Sequence, residues 1–177
     1  MAVEVRSFTA PGTVTVRRVV PADDAGVTRF YASLSADSLE ARFLGATPGI
    51  AEATARFFCG PDHLHREGLV AEAIDGSGEC VIVGHLCLEP STAGRVEMAI
   101  AVADGWQRRG IGRALLEAAI RWAEARGFLG LDASARWSNA AILGLVRATR
   151  LPVRFGAVDG GVLDVAIDLG ATSRSAA

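Results

Sequence analysis

Much of what commonly announces a function is missing from this sequence. It has only three cysteines, Cys59, Cys80 and Cys87, an odd number without CxxC spacing. That argues against a disulfide framework or a cysteine-based zinc site, and the three read as small buried hydrophobes in a reducing cytoplasm. No apolar run is long enough to span a bilayer, and the N-terminus lacks the charged-then-apolar pattern of a signal peptide. The formal net charge is −2, so no overall basic surface points to nucleic acid. His63 and His65 form an HxH with no third ligand nearby in sequence, so no metal is expected. There is no Ser-His-Asp set, internal repeat or low-complexity block. These absences predict a cytoplasmic protein with neither nucleic-acid nor membrane partners.

Half of the 177 residues are hydrophobic, enough for the core of a single domain. Residues 1–12 have no clear period and contain Pro11-Gly12, which predicts a loose N-terminal arm. The domain is expected over 13–169, with a disordered tail over 170–177. Thr13 to Val19 alternates as a strand. Pro21-Ala22-Asp23-Asp24 starts a helix, with Val27, Phe30, Tyr31 and Leu34 at helical spacing. A second short helix runs from Ser35 to Leu44, opened by Ser35 or Asp37, and a third covers residues 51–59. Glu67–Asp75 and Glu79–Glu89 form a hairpin around Gly76-Ser77-Gly78, and Arg95–Val102 follows as a third strand. A helix from Gly110 to Arg126 buries Ile111, Leu115, Ala118, Ala119 and Trp122, and Glu117 can pair with Arg121 on its outer face. Gly127 closes it. Leu129–Ala135 is a strand and Asn139–Thr149 a helix. Leu151–Ala157 and Val162–Leu169 are the last strands. This order predicts an α/β (α+β) fold. Its sheet is mixed and mostly antiparallel, of about seven strands, with a central strand–helix–strand unit and flanking helices.

The segment from Val96 to Gly127 carries the strongest chemical signal. An apolar strand ends at Asp104-Gly105, passes through Gln107-Arg108-Arg109-Gly110-Ile111-Gly112, and becomes an amphipathic helix. A glycine loop at a helix start presents free N–H groups and the positive end of the helix dipole, which together bind anions. Two flanking arginines favour a phosphate-bearing ligand. The spacing is neither a Rossmann GxGxxG nor a Walker A loop. From spacing alone, an ordinary strand–helix turn remains open.

Gln107-x-x-Gly110-x-Gly112 resembles the pyrophosphate loop of the GNAT superfamily of N-acetyltransferases. Ile100-Ala101-Val102 at the strand end, the Asp104–Trp106 spacer and Asn139 at the later helix start are similar as well. The resemblance implies a GNAT fold over roughly 13–169 and acetyl-CoA as co-substrate. The backbone of Arg108, Arg109, Gly110, Ile111, Gly112 and Arg113 would hold the pyrophosphate. The backbone of Ile100, Ala101 and Val102 would pair with the pantetheine arm, one amide polarising the thioester carbonyl. Asn139 would contact the pantetheine, or cap its helix beside Ser138; the two roles are compatible. The start, Val16 to Asp24 followed by Leu34-Ser35-Ala36-Asp37-Ser38-Leu39-Glu40-Ala41-Arg42-Phe43, resembles the opening of GNAT domains in bacterial protein lysine acetyltransferases. The closing Val-Leu-Asp-Val-Ala-Ile-Asp-Leu resembles their last strand.

The chemistry that this resemblance implies, aminolysis of a thioester, needs a neutral amine and hence a base. Glu97 is the candidate. It sits in the strand leading to the loop, and alternation puts it on one face with Ala99 and Ala101. Apolar neighbours are expected to desolvate it partly. The resembling lysine acetyltransferases have their basic glutamate at this place. The alternative is a surface residue paired with Arg95 or another cation. His85 and Glu89 in the neighbouring strand compete for the role. Three departures stand out. Many members have a tyrosine seven residues after the Asn, where this chain has Val146; the only tyrosine is Tyr31, so no matching acid protonates the thiolate. Arg150-Leu151-Pro152 replaces the common Leu-Gly-Phe. Ser134 stands where N-terminal acetyltransferases of ribosomal proteins carry glutamate. The expected acceptor is a primary amine, with a protein lysine ahead of a small-molecule amine. A non-catalytic acyl-CoA sensor is the reading from another class. A monomer and a homodimer are both compatible with the sequence.

Overall fold

The computed structural model describes residues 5–8 and 13–170. Eight strands form one sheet in the order β1-β2-β3-β4-β5-β6-β8-β7. They are β1 Val5–Phe8, β2 Thr13–Arg18, β3 Glu67–Ile74, β4 Cys80–Pro90, β5 Val96–Val102, β6 Gly130–Arg136, β7 Val153–Asp159 and β8 Val162–Asp168. The helices are α1 Asp24–Ala32, α2 Ala36–Phe43, α3 Glu52–Phe58, α4 Ile111–Ala125 and α5 Ala140–Arg147. The sheet has one strand more than the seven expected. The addition is β1, which pairs antiparallel with β2 inside what the sequence predicts to be a loose arm. Residues 1–4 and 9–12 of that arm lie outside the described residues, as does the expected tail after Gly170.

All neighbouring strands pair antiparallel except β5 and β6. Those two are parallel and joined through α4, the expected strand–helix–strand unit. They touch over only two rungs, Val96↔Leu131 and Glu97↔Asp132. Beyond Glu97 the strands part, and the β6-facing edge of β5 is left without a strand partner. Arg95 clasps the closed end of this split. Its guanidinium donates to Asp132 at 2.7 Å, to Asp168 at 2.8 Å and to the carbonyl of Ile167 at 3.0 Å. Gly130 makes the room, because a Cβ there would lie 2.3 Å from Arg95 Nη1 and 2.4 Å from the Ile167 carbonyl oxygen.

Alternation along the strands sends one set of side chains to each face. Val96 and Met98 of β5 are buried in the core under α4, together with Leu86, Leu88, Leu131 and Ile167. Helix α4 seats Ile111, Leu115, Leu116, Ala119 and Trp122 there. Losing a buried Leu115 side chain to alanine would cost about 2–5 kcal/mol. On its outer face Glu117 pairs with Arg113 at 2.7 Å, not with Arg121 as the sequence predicts. Both partners lie at i,i+4, and Arg113 is the one whose side chain reaches. A second, aromatic-rich core lies on the other face, where α1 brings Phe30 and Tyr31, α2 brings Leu39 and α3 brings Ala55 onto Val70. Those helices leave the same face of β7, β8 and the Glu97–Asp132 end of β5 and β6 largely uncovered. Cys59 and Cys87 are buried as expected, but Cys80 is exposed because it starts β4 just past the hairpin turn. No helix among the described residues is long and apolar enough to cross a membrane.

Candidate active site

The loop after β5 is built to leave its amides free. Arg108 and Gly110 both take left-handed φ, 61° and 83°. This turns the chain sharply into α4, where glycine tolerates the geometry best. The first backbone bond into the helix is Ala114 N–H to the Gly110 carbonyl, 3.0 Å. Among the described residues, no backbone carbonyl accepts from the N–H groups of Arg108 to Arg113. With the dipole of a fifteen-residue helix behind them, these amides form an anion cradle. No acidic residue stands in the first turn of α4 to compete with a bound anion.

The cradle opens into a cleft of about 1030 Å³. One wall is α2, the other the end of β6 with the start of α5, and the exposed edge Ile100–Val102 runs between them. Gln107, Arg108, Gly110, Gly112, Arg113 and Asn139 also line it. A Cβ on Gly112 would make only ordinary contacts, 3.5 Å to Leu145 and 3.9 Å to Val102. Packing therefore does not demand glycine there, and the space in front of it belongs to the cleft. Two residues expected at the cradle stay out of the cleft. The Ile111 side chain is buried in the core, so only its backbone is available. Arg109 lies over the Trp106 ring, 5.0 Å from the centroid. Gln107 is committed in part, since its amide nitrogen donates to Ser38 Oγ and to the Val102 carbonyl. Asn139 caps α5, its Oδ1 accepting from the Ile142 N–H at 3.1 Å.

Glu97 does not line this cleft. It opens onto a second one of about 550 Å³ on the uncovered sheet face, with Asp132, Ser134, Arg154 and Asp164. Glu97 is exposed, so the partial desolvation expected from its apolar strand is absent. The reason lies across the sheet. Its register neighbours are acids, Glu89 on β4 and Asp132 on β6, and no helix covers them. Glu89 is held by Arg66 at 2.5 and 2.8 Å, and Asp132 by Arg95. Among the described residues, Glu97 has no ion-pair partner. Among the described residues, Asp164 accepts only from the neutral Ser134 hydroxyl, at 3.0 Å. Arg154 is neutralised by Asp168, whose carboxyl is held down at about 2 by hydrogen bonds from Arg154 and Arg95.

The competing groups are engaged elsewhere. His85 is fully buried, and burial with the nearby Arg42 charge pushes it down to about 3, so its ring is neutral. Its Nδ1 shares a hydrogen bond of 2.9 Å with the Tyr31 hydroxyl, and burial pushes that phenol up to about 12. Val146, at the position of the family's tyrosine, is fully buried in the core. His63 meets the buried Glu67 at 2.5 Å, whereas His65 meets Asp62 at 3.0 Å, so the HxH histidines serve separate carboxylates.

Sequence reasoning missed Arg136 and most of α2. Ser35, Asp37, Ser38, Glu40 and Ala41 line the large cleft, and Arg136 reaches Glu40 at 2.7 Å from the opposite wall. Ser35 before an amphipathic helix and Ser38 in its first turn were the available signal, though they read locally as a cap.

The comparisons with known proteins bear on the family and the fold. The model of the acetyltransferase (GNAT) family matches residues 36–147. Among solved structures, the GNAT domain of S. lividans PAT is 25% identical with a TM-score of 0.81; the match covers 94% of this chain and 97% of that one. The phosphinothricin acetyltransferase from Sinorhizobium meliloti, in complex with AcCoA, is 22% identical with a TM-score of 0.68, covering 89% of each chain. The ribosomal-protein-S18-alanine N-acetyltransferase from Escherichia coli is 18% identical with a TM-score of 0.66, covering 93% of this chain and 99% of that one. The last two share the fold. No curated protein matches the sequence.

Proposed function

The chain belongs to the acetyltransferase (GNAT) family, and from that premise we propose that it transfers an acetyl group from acetyl-CoA to a primary amine, with a protein lysine as the leading acceptor. The single observation that carries this reading is the unpartnered edge of β5, which leads straight into a cradle of free amides. The amides of Arg108 to Arg113 hold the diphosphate of the coenzyme, helped by the charge of Arg108. The backbone of Ile100 to Val102 takes the pantetheine arm as an added strand, and one of its amides polarises the thioester carbonyl. Asn139 keeps its capping bond through Oδ1 and turns its amide nitrogen to the arm.

The acceptor enters from the uncovered sheet face, where Glu97 and Asp164 lack a cation. A free lysine has pKa about 10.4 and arrives protonated. Glu97, directly or through a water, removes a proton. The neutral amine then attacks the thioester carbon, and as the tetrahedral intermediate collapses the C–S bond breaks, CoA leaves as the thiolate, and the second nitrogen proton, which the amide does not keep, passes through water to solvent. Val146 and Tyr31 supply no acid for that sulfur, so water protonates it or it departs unprotonated. An uncovered face that admits a protein segment favours lysine over a small enclosed amine. The chain itself contains no lysine, all 18 of its basic residues being arginine, so no internal ε-amine competes for the acetyl group. The three free cysteines fit a reducing cytoplasm.

Thiol release from acetyl-CoA, measured with lysine peptides and a panel of small amines, tests the reading. Release above background with lysine peptides supports it. Faster release with a small amine moves the acceptor to that class. Tight CoA binding with no release from any amine replaces the enzyme with an acyl-CoA sensor, a reading that the missing acid favours.

A further inference from the structure

Ser35 and Ser38 do more than start a helix. Ser35 Oγ accepts from the Ser38 N–H, which is the expected cap. The same hydroxyl donates to Asp104 Oδ1 at 2.8 Å, and Ser38 Oγ donates to it at 2.7 Å. The Ser35 N–H donates to Asp104 Oδ2 at 2.9 Å. Partial burial works to raise the Asp104 carboxyl, but these three donors outweigh it and hold it below the ordinary range. Asp104 opens the turn Asp104–Trp106 that leads into the cradle. A helix whose only buried residue is Leu39 is thus fastened to the loop that grips the diphosphate. At the other end of α2, Glu40 reaches across the split to Arg136 on β6.

Leu39, Phe43 against the Tyr31 ring and Arg42 donating to Cys87 Sγ at 3.1 Å seat the middle and C-terminal end of α2, whereas its N-terminal end buries nothing. The bonds of Ser35 and Ser38 to Asp104 hold that N-terminal end, and α2 forms a wall of the large cleft, which Ile100 to Val102 also line. We propose that Ser35, Ser38 and Asp104 form a clip that holds α2 as a fixed wall against the acyl end of the coenzyme, with Asp104 as a positioning residue for the transfer. This rests on the acyl-transfer reading of the cleft. The cradle amides, which follow from where α4 begins, make no bond to the Ser35, Ser38 or Asp104 side chains. Loosening α2 therefore lets the thioester swing while the diphosphate stays gripped.

Asp104→Ala and Ser38→Ala test the clip in kinetics, CoA binding and hydrogen exchange. In Asp104→Ala, kcat falls about tenfold, whereas the Kd for CoA stays within about threefold. Ser38→Ala moves the same way by less, and the loss in the double variant falls short of the sum of the two, because they share the Ser38–Asp104 bond while Ser38 also accepts from Gln107. Ser38→Thr, which keeps the hydroxyl, restores the rate. With CoA bound, the amides of α2 exchange faster in Asp104→Ala than in the wild type. Unchanged α2 exchange, additive losses, or a CoA affinity loss equal to the rate loss would each overturn the clip. The exchange measurement needs no acceptor, so a protein that acetylates no amine would refute the proposed function and still leave the clip to be judged.

Discussion

Glu97 and Asp132 face each other across the last rung of the parallel ladder before β5 and β6 part. Asp132 is tied to Arg95, whereas Glu97 is exposed, without a cation, and at the head of the uncovered face. Removing its charge should therefore disturb no ion pair of the described structure. Glu97→Gln is expected to cut turnover by roughly 10²–10⁴-fold with little change in CoA affinity. A rate equal to the wild type would return Glu97 to the surface.

Gly112→Glu should abolish CoA binding and leave the fold intact. A Cβ fits there with ordinary contacts, and a carboxylate at a helix start is favourable for the helix. The same carboxylate would occupy the diphosphate position and repel it. Calorimetry that detected wild-type CoA affinity in this variant would move the cofactor site elsewhere.

Arg108 lines the cleft, whereas Arg109 rests on Trp106 and Arg113 is paired with Glu117. CoA binding should weaken as ionic strength rises. Arg108→Ala should flatten that dependence more than Arg109→Ala does. Equal salt slopes in the two variants would count against a distinct phosphate role for Arg108.

His85 gives the fold an acid weakness. Its imidazole shifts from an ordinary 6.5 to about 3 when buried. Between those values the unfolded chain binds a proton that the folded chain refuses. The folded state therefore loses stability as pH falls through that window, by about 2 kcal/mol at most between pH 7 and pH 5. His85→Gln keeps a hydrogen-bonding partner for the Tyr31 hydroxyl, since an amide can donate or accept, and removes the titration. Urea unfolding at the two pH values should show the wild type losing more stability than this variant; parallel losses would clear His85.

The elements and the loop were readable in the sequence because they depend on near neighbours. Period-2 alternation marked β5, helical spacing marked α4, and the glycines marked a turn that only left-handed φ allows at Gly110. The cradle was legible for the same reason, since its free amides follow from where a helix begins. The exposure of Glu97 was not legible. It depends on Glu89 and Asp132 lying beside it and on which helices cover which half of the sheet. Tyr31 and His85 gave no local sign of their partnership, being 54 residues apart.

Local pattern thus determined the strands, the helices and a backbone shaped for an anion. Tertiary structure alone decided the split between β5 and β6, the Arg95 clasp over Gly130, and the fastening of Ser35 to Asp104 across 69 residues. The physical reason is reach. Hydrogen bonds within a turn are set by the sequence of that turn, whereas contacts between distant segments exist only once the packed core has brought them together.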